Sequence, residues 1–176
     1  MNTDILDKKI ILIDSSKCIF NNSNYDFYLD IQTPIKDVLF IKIISSTISI
    51  STELKINNTN INDLDNIFIY LNDYKRIITN NSNTNDNIFN YFDNILIDTT
   101  KYSNTSTEFN FTNLLASNSD ITDTSIYVLN PAEPSLKRFN IKLYDNNNNI
   151  ISKTDNLNRI VIKLCIYTSR KKITMN

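Results

Sequence analysis

Carboxylates are the side chains in this sequence with the best claim to acid–base chemistry. Asp26 and Asp30 form one close pair, and Asp93 and Asp98 form another. Two carboxyl groups flanking a scissile bond are the minimum equipment for glycoside hydrolysis, one as acid and the other as base or nucleophile. The rest of the catalytic repertoire is missing. The chain has no His, which removes the usual general base, the commonest metal ligand and every His-containing triad. It has no Gly, so neither a dinucleotide fingerprint nor a phosphate loop can form, since both need glycine where backbone approaches phosphate. Cys18 and Cys165 lie far apart, with no ligand spacing around either, and two cysteines alone cannot build a zinc site. They read as reduced thiols. Asp26 and Asp30 alternate with apolar residues, which places them on the solvent face of a strand. The sequence therefore predicts no catalytic, cofactor-binding or metal-binding residues, no cofactor, and no enzyme.

Any such residues must be held by a fold, and composition bounds it. The chain is 176 residues long and 41% hydrophobic, one domain's worth, able to bury roughly 70% of the surface its unfolded form exposes. Eighteen basic and 19 acidic side chains leave a formal net charge of −1. That balance lacks the basic footprint of a nucleic-acid binder. No apolar run is long enough for a transmembrane helix, and Met1-Asn2-Thr3-Asp4 opens no signal peptide. The expectation is a protein made in a cytosol-like compartment, with no specific nucleic-acid partner and no membrane insertion. Asn-x-Ser/Thr triplets beginning at Asn21, Asn57, Asn80, Asn104 and Asn110 are expected by chance in so Asn-rich a chain.

Without glycine, every backbone position with φ > 0 must fall to Asn or Asp, the other residues that visit that region cheaply. The Asn clusters at 21–24, 80–87 and 146–149 are therefore read as turns. Between the turns the pattern is strand-like. Tyr25, Phe27, Leu29 and Ile31 alternate with Asp26, Tyr28 and Asp30, and Thr33-Pro34 is expected to break that strand. The run from Val38 to Ile50 is apolar on both faces, as in a strand covered on both sides. Short runs follow at Ile67–Leu71, Ile95–Ile97, Thr107–Leu115 and Ser125–Leu129, the last closed by Asn130-Pro131-Ala132-Glu133-Pro134. In the C-terminal third, Phe139, Ile141 and Leu143 alternate with Arg138, Asn140 and Lys142. Ile160, Ile162, Leu164 and Ile166 alternate with Arg159, Val161, Lys163, Cys165 and Tyr167. Helical periodicity is weak, confined to 63–70 and 117–126. The pattern predicts an all-β domain: a sandwich, a jelly roll or a barrel.

The order of these runs resembles the penton-type and minor capsid proteins of nucleocytoplasmic large DNA viruses, the giant and algal virus group. Its marks are Ile13-Asp14-Ser15 after a first hydrophobic strand and Phe27-Tyr28-Leu29-Asp30-Ile31 before Pro34-Ile35-Lys36-Asp37-Val38 and Ile43-Ile44-Ser45-Ser46. Further marks are Ile69-Tyr70-Leu71-Asn72-Asp73-Tyr74, and Pro131, Pro134 and Leu136 leading into Phe139–Asp145. The similarity spans about residues 9–168, although each motif is loose. The family often has Arg after the first turn, where this chain has Lys17-Cys18, and Asp-Gly in the last hairpin, where this chain has Asn. Residues 99–123 match nothing in it. The resemblance implies a single jelly-roll sandwich of about eight antiparallel strands in two sheets, filling residues 1–176 as one domain with short tails. It implies a structural virion protein assembled in the host cytoplasm, closing the fivefold vertices of an icosahedral capsid as a homopentamer. Its partners would be major capsid protein capsomers and other minor capsid proteins. A cement protein beneath the shell is one alternative. Another is a β-sandwich carbohydrate-binding module, with Tyr28, Tyr70, Tyr144 and Tyr167 on the less apolar strand faces as candidate platforms. Arg170-Lys171-Lys172 reads as a solvated terminus.

Overall fold

The computed structural model describes residues 6–51, 55–56, 59–60, 66–75, 77–80, 88–96, 108–114, 126–153 and 157–169. Twelve strands run through them, with a 3₁₀ turn at Ser15–Lys17. The first six are β1 (Leu6–Asp14), β2 (Ile19–Phe20), β3 (Asp26–Ser51), β4 (Lys55–Ile56), β5 (Thr59–Asn60) and β6 (Asn66–Leu71). Then come β7 (Ile77–Asn80), β8 (Ile88–Tyr91), β9 (Asp93–Leu96), β10 (Glu108–Leu114), β11 (Tyr127–Tyr144) and β12 (Leu157–Ser169). Every pairing is antiparallel. The fold is all-β, as the alternation predicts. The Asn cluster at 81–87, residues 97–107 and 115–125, and the basic terminus lie outside the described residues.

The main sheet has eight strands, ordered β1-β12-β3-β11-β6-β9, with β2 and β10 also on β3. The 26-residue β3 organises it. Its N-terminal half pairs with β2 on one side and β11 on the other. Its C-terminal half pairs with β12 and β10. One layer, β2-β3-β11-β6-β9, thus passes continuously into another, β10-β3-β12-β1, through a shared strand. β9 comes to lie against β10 and β3 without a hydrogen-bonded ladder to either. The sheet is curled over its own core.

Proline marks where that curl is made. The sequence predicts strand ends at Thr33-Pro34 and at Asn130–Pro134; instead β3 and β11 run through both. What breaks is the ladder. Pairing skips from Leu136↔Ile35 to Arg138↔Asp30, and from Val128↔Phe40 to Glu133↔Val38. Pro34 and Pro131 fall inside the skipped stretches, where a missing N–H leaves no ladder bond unmade. Extra residues on one strand also bend it and increase its twist.

The core lies between the layers. Phe27, Ile41, Ile43, Phe139, Ile141, Leu143, Ile162 and Leu164 are all buried, as the strand phase predicts, while Leu29 and Ile31 are half-buried against the same cluster. Each full burial contributes about 1.5–3 kcal/mol from apolar surface removed from water. Lys42 on the alternate face of β3 is buried too, in keeping with a strand covered on both sides, while Val38 joins the core cluster itself. The residues with φ > 0 among those described are Asp37, Asn72 and Asn148, as a glycine-free chain requires. The Asn146–Asn149 turn closes on Asp145, whose Oδ1 accepts the backbone N–H of Asn147 and Asn149 at 2.9 and 2.8 Å.

Candidate functional site

Of the nominated side chains, Asp26, Asp30 and three of the four tyrosines share one surface, the outer face of β3, β11 and β6. Antiparallel register sets Asp30 opposite Arg138, Tyr28 opposite Asn140, Asp26 opposite Lys142, Lys142 opposite Tyr70, and Tyr144 opposite Phe68. Because strand side chains alternate between faces, all of these project away from the core.

Each carboxylate on this face has a cation directly across the ladder. Arg138 donates Nε and Nη2 to Asp30 at 2.6 and 3.2 Å, and Asp30 holds the guanidinium above its ordinary pKa. Lys142 Nζ lies 3.5 Å from Asp26. Asp26 also accepts from Asn21 Nδ2 at 2.6 Å. The expectation of a solvated Asp26 is corrected: it is only 8% exposed, shielded by the side chains that bind it. A hydrolytic acid needs a proton retained by apolar surroundings or by a neighbouring like charge. Both carboxylates here are instead paired with cations across the ladder. Asp93 is buried on β9 and accepts from the Asn94 backbone N–H at 2.9 Å. Its nominated companion Asp98 lies outside the described residues.

The tyrosines are equally engaged. Arg138 sits 4.0 Å above the Tyr28 ring centroid, and Lys142 lies 5.8 Å from that of Tyr70. Tyr70 donates its hydroxyl to Asp73 at 2.6 Å, and burial with that bond raises its pKa. Phe68 stacks on Tyr91 at 4.5 Å, and Tyr91 in turn packs on Tyr144 at 5.6 Å. Tyr91 donates to Asn148 Oδ1 at 2.5 Å, and burial pushes its pKa up to about 12. Tyr167 belongs to the other layer, against Phe40 at 6.4 Å. A sugar platform needs an aromatic face open to a pyranose ring, and here guanidinium, ammonium and neighbouring rings lie against those faces. This is an internally bonded outer wall.

Sequence reasoning singled out Ile13-Asp14-Ser15 as a turn but missed what it holds. Asp14 accepts from Ser16 N at 3.1 Å and Ser16 Oγ at 2.8 Å, capping the 3₁₀ turn. Its carboxylate also receives Arg159 Nε at 2.9 Å and Nη2 at 2.5 Å. Ser15 Oγ accepts from Ile160 N at 3.0 Å. The Arg159 bonds hold Asp14 far below the usual carboxylate pKa despite its burial. A cation two residues into a strand pattern gives no sign of so distant a partner. Cys18 donates Sγ to the Asp14 carbonyl at 3.2 Å, and burial pushes its thiol up to about 11. Cys18 and Cys165 are both free thiols, as expected.

Among the described residues, no group of three or more His, Cys, Asp or Glu is placed to hold a metal ion. Fold and surface together define an all-β domain whose polar clusters join strands to one another. Comparison of the chain with known protein families and with characterised proteins finds no match.

Proposed function

We propose that this chain is a structural virion protein, a penton subunit that closes the fivefold vertices of an icosahedral capsid as a homopentamer. One observation carries the reading: the loose sequence motifs behind the capsid resemblance meet one another at the joints of the fold. Pro34–Val38 and Glu133–Leu136 are remote in sequence, yet they form one cross-strand block, Val38 on Glu133, Lys36 on Ser135 and Ile35 on Leu136. This block lies between the two register shifts that bend β3 and β11. Ile13-Asp14-Ser15 is likewise tied to β12 by Arg159 and Ile160. Residues that set curvature are those a shell subunit must keep, because curvature fixes the angle at which neighbours meet.

A ring closes only where the rotation between neighbours divides a full turn, and at a capsid vertex that rotation is fivefold. The ionised side chains of the outer wall are paired across strands, which supports a scaffolding surface over a catalytic one. A reconstruction of virions containing this chain tests the reading. The expected result is density for it at every fivefold vertex, ringed by major capsid protein. Density only beneath the facets would replace the penton with a cement protein, and finding the chain outside any capsid would end the capsid reading.

A further inference from the structure

The bend between β2 and β3 leaves Asn21, Asn22 and Ser23 exposed. Within it the Asn24 N–H donates to Asn22 Oδ1 at 2.8 Å, a turn in which the side chain doubles back over the next peptide unit. Doubling back carries the Asn22 amide carbon towards the backbone nitrogen of Ser23. The groups on either side of that nitrogen are held. The Ser23 carbonyl accepts the Lys153 N–H at 2.9 Å, and the Tyr25 N–H donates to the Ile151 carbonyl at 2.7 Å. The Ser23 N–H itself has no hydrogen-bond partner among the described residues. A nucleophile without a partner is thus fixed beside a carbonyl carbon whose oxygen already receives a donor.

The same chemistry is blocked in the Asn-rich turn after β11. There the nitrogens that would attack Asn146, Asn147 and Asn148 are all bound by Asp145. The Asn147 and Asn149 N–H groups donate to its Oδ1 at 2.9 and 2.8 Å, and the Asn148 N–H donates to its carbonyl at 3.1 Å. Asn21, next to Asn22, has its amide nitrogen held on Asp26 at 2.6 Å.

We propose that Asn22 is a site of spontaneous deamidation, with solvent water as the reactant. The Ser23 nitrogen gives its proton to solvent hydroxide and bonds to Asn22 Cγ. The Asn24 N–H steadies the negative charge that develops on Oδ1, as a preorganised donor does for an oxyanion, and the turn supplies the proximity. The Cγ–Nδ2 bond then breaks, and the nitrogen takes a proton from water and leaves as ammonia. Water opens the resulting five-membered imide at either carbonyl. Attack at Cγ gives aspartate, and attack at the backbone carbonyl gives isoaspartate, whose main chain runs through Cβ. In sum one water is consumed, one ammonia is released and one carboxylate appears, next to the peptide that holds Lys153. The chemistry needs only water, so it holds in any assembly that leaves this bend uncovered.

The test ages the full folded chain in mildly alkaline buffer and follows it by peptide mapping with fragment spectra. Isoaspartate is counted by an isoaspartate-specific methyltransferase. The expected result is the mass gain of an amide-to-acid exchange at Asn22, with isoaspartate there, about tenfold or more ahead of any gain at 146–149. In chain unfolded by guanidinium chloride that lead should shrink, because the Asp145 bonds are gone. Ser23→Val crowds the attacking nitrogen with a branched side chain and should slow the exchange about tenfold. Its thermal midpoint should stay near that of the parent chain, because Ser23 is exposed. No gain at Asn22 in the folded chain, a gain at 146–149 as fast or faster, a lead undiminished by unfolding, or an unchanged rate in Ser23→Val would each overturn the proposal.

Discussion

The Asp14 carboxylate meets Arg159 with both oxygens, Oδ1 on Nε at 2.9 Å and Oδ2 on Nη2 at 2.5 Å. This pairing fastens the end of the first strand to the start of the last. The partners are unequal, for the Arg159 side chain is 50% exposed and that of Asp14 only 6%. The carboxylate is therefore the expensive partner to leave alone, since a buried acceptor keeps its desolvation cost when its donor is removed.

Stability should consequently depend on acid. Asp14 titrates below its ordinary value of 3.8 in the folded chain, so the unfolded chain binds the proton more readily. The stabilisation is fully present above the unfolded pKa and is lost as pH falls through the folded one. Urea titrations should show stability declining below about pH 4, with a shallower decline in Asp14→Asn. At neutral pH, Asp14→Ala should cost about 1–3 kcal/mol, from lost charged hydrogen bonds and a lost cap. An unaltered acid limb in Asp14→Asn would show that another carboxylate governs it.

Strand phase gives the second test. Ile141→Ala or Leu164→Ala should cost about 2–5 kcal/mol, lost transfer energy plus residual cavity. Their neighbours Lys142 and Lys163 point to the opposite face, and sequence alone treats the two lysines alike. The structure separates them. Lys163 is exposed, whereas Lys142 pairs with the mostly buried Asp26. Lys163→Ala should be close to neutral and Lys142→Ala should cost about 1 kcal/mol, as read by chemical denaturation. Equal losses at Leu164 and Lys163 would mean the phase of β12 is wrong.

The thiols should be inert in the native state. Burial and the nearby Asp14 charge hold Cys18 as a thiol until about pH 11, and Cys165 is 1% exposed. Since the thiolate is the reactive form, a thiol-specific disulfide reagent at pH 8 should label neither cysteine quickly, and both after denaturation. Rapid native labelling would place Cys18 in a different environment.

Alternation located the β3, β6, β11 and β12 runs and most of the core, because burying one face imposes a period of two wherever a strand lies. The same logic failed at Pro34 and Pro131. Proline signals a lost ladder bond, and sequence does not say whether the strand stops or merely shifts register. It also misjudged Asp26. A carboxylate among alternating apolar residues reads as solvated until the cross-strand partner Lys142 and the Asn21 amide are known, and register depends on turns and bulges far away. The Asp14–Arg159 contact was hidden for the same reason. Composition, by contrast, did anticipate which residue types adopt φ > 0.

That anticipation can be tested at Asp37. Its φ is 53°, a conformation in which an L-residue brings Cβ close to the following carbonyl oxygen, at a cost of roughly 1–2 kcal/mol. Asp37 lies inside the cross-strand block formed by Val38 on Glu133 and Lys36 on Ser135, so the conformation is imposed by the strand's path. Glycine has no Cβ but has a more flexible unfolded chain, and these effects oppose each other. Asp37→Gly should therefore change stability by no more than about 1 kcal/mol in either direction. Asp37→Val adds a branched Cβ where it is least tolerated, and should lower stability by about 1–2 kcal/mol. Asn148 is a poorer place for the comparison, because its side chain also accepts the Tyr91 hydroxyl. Thermal melts of the two Asp37 variants are the measurement. A valine variant as stable as its glycine counterpart would show that residue 37 does not hold the left-handed conformation.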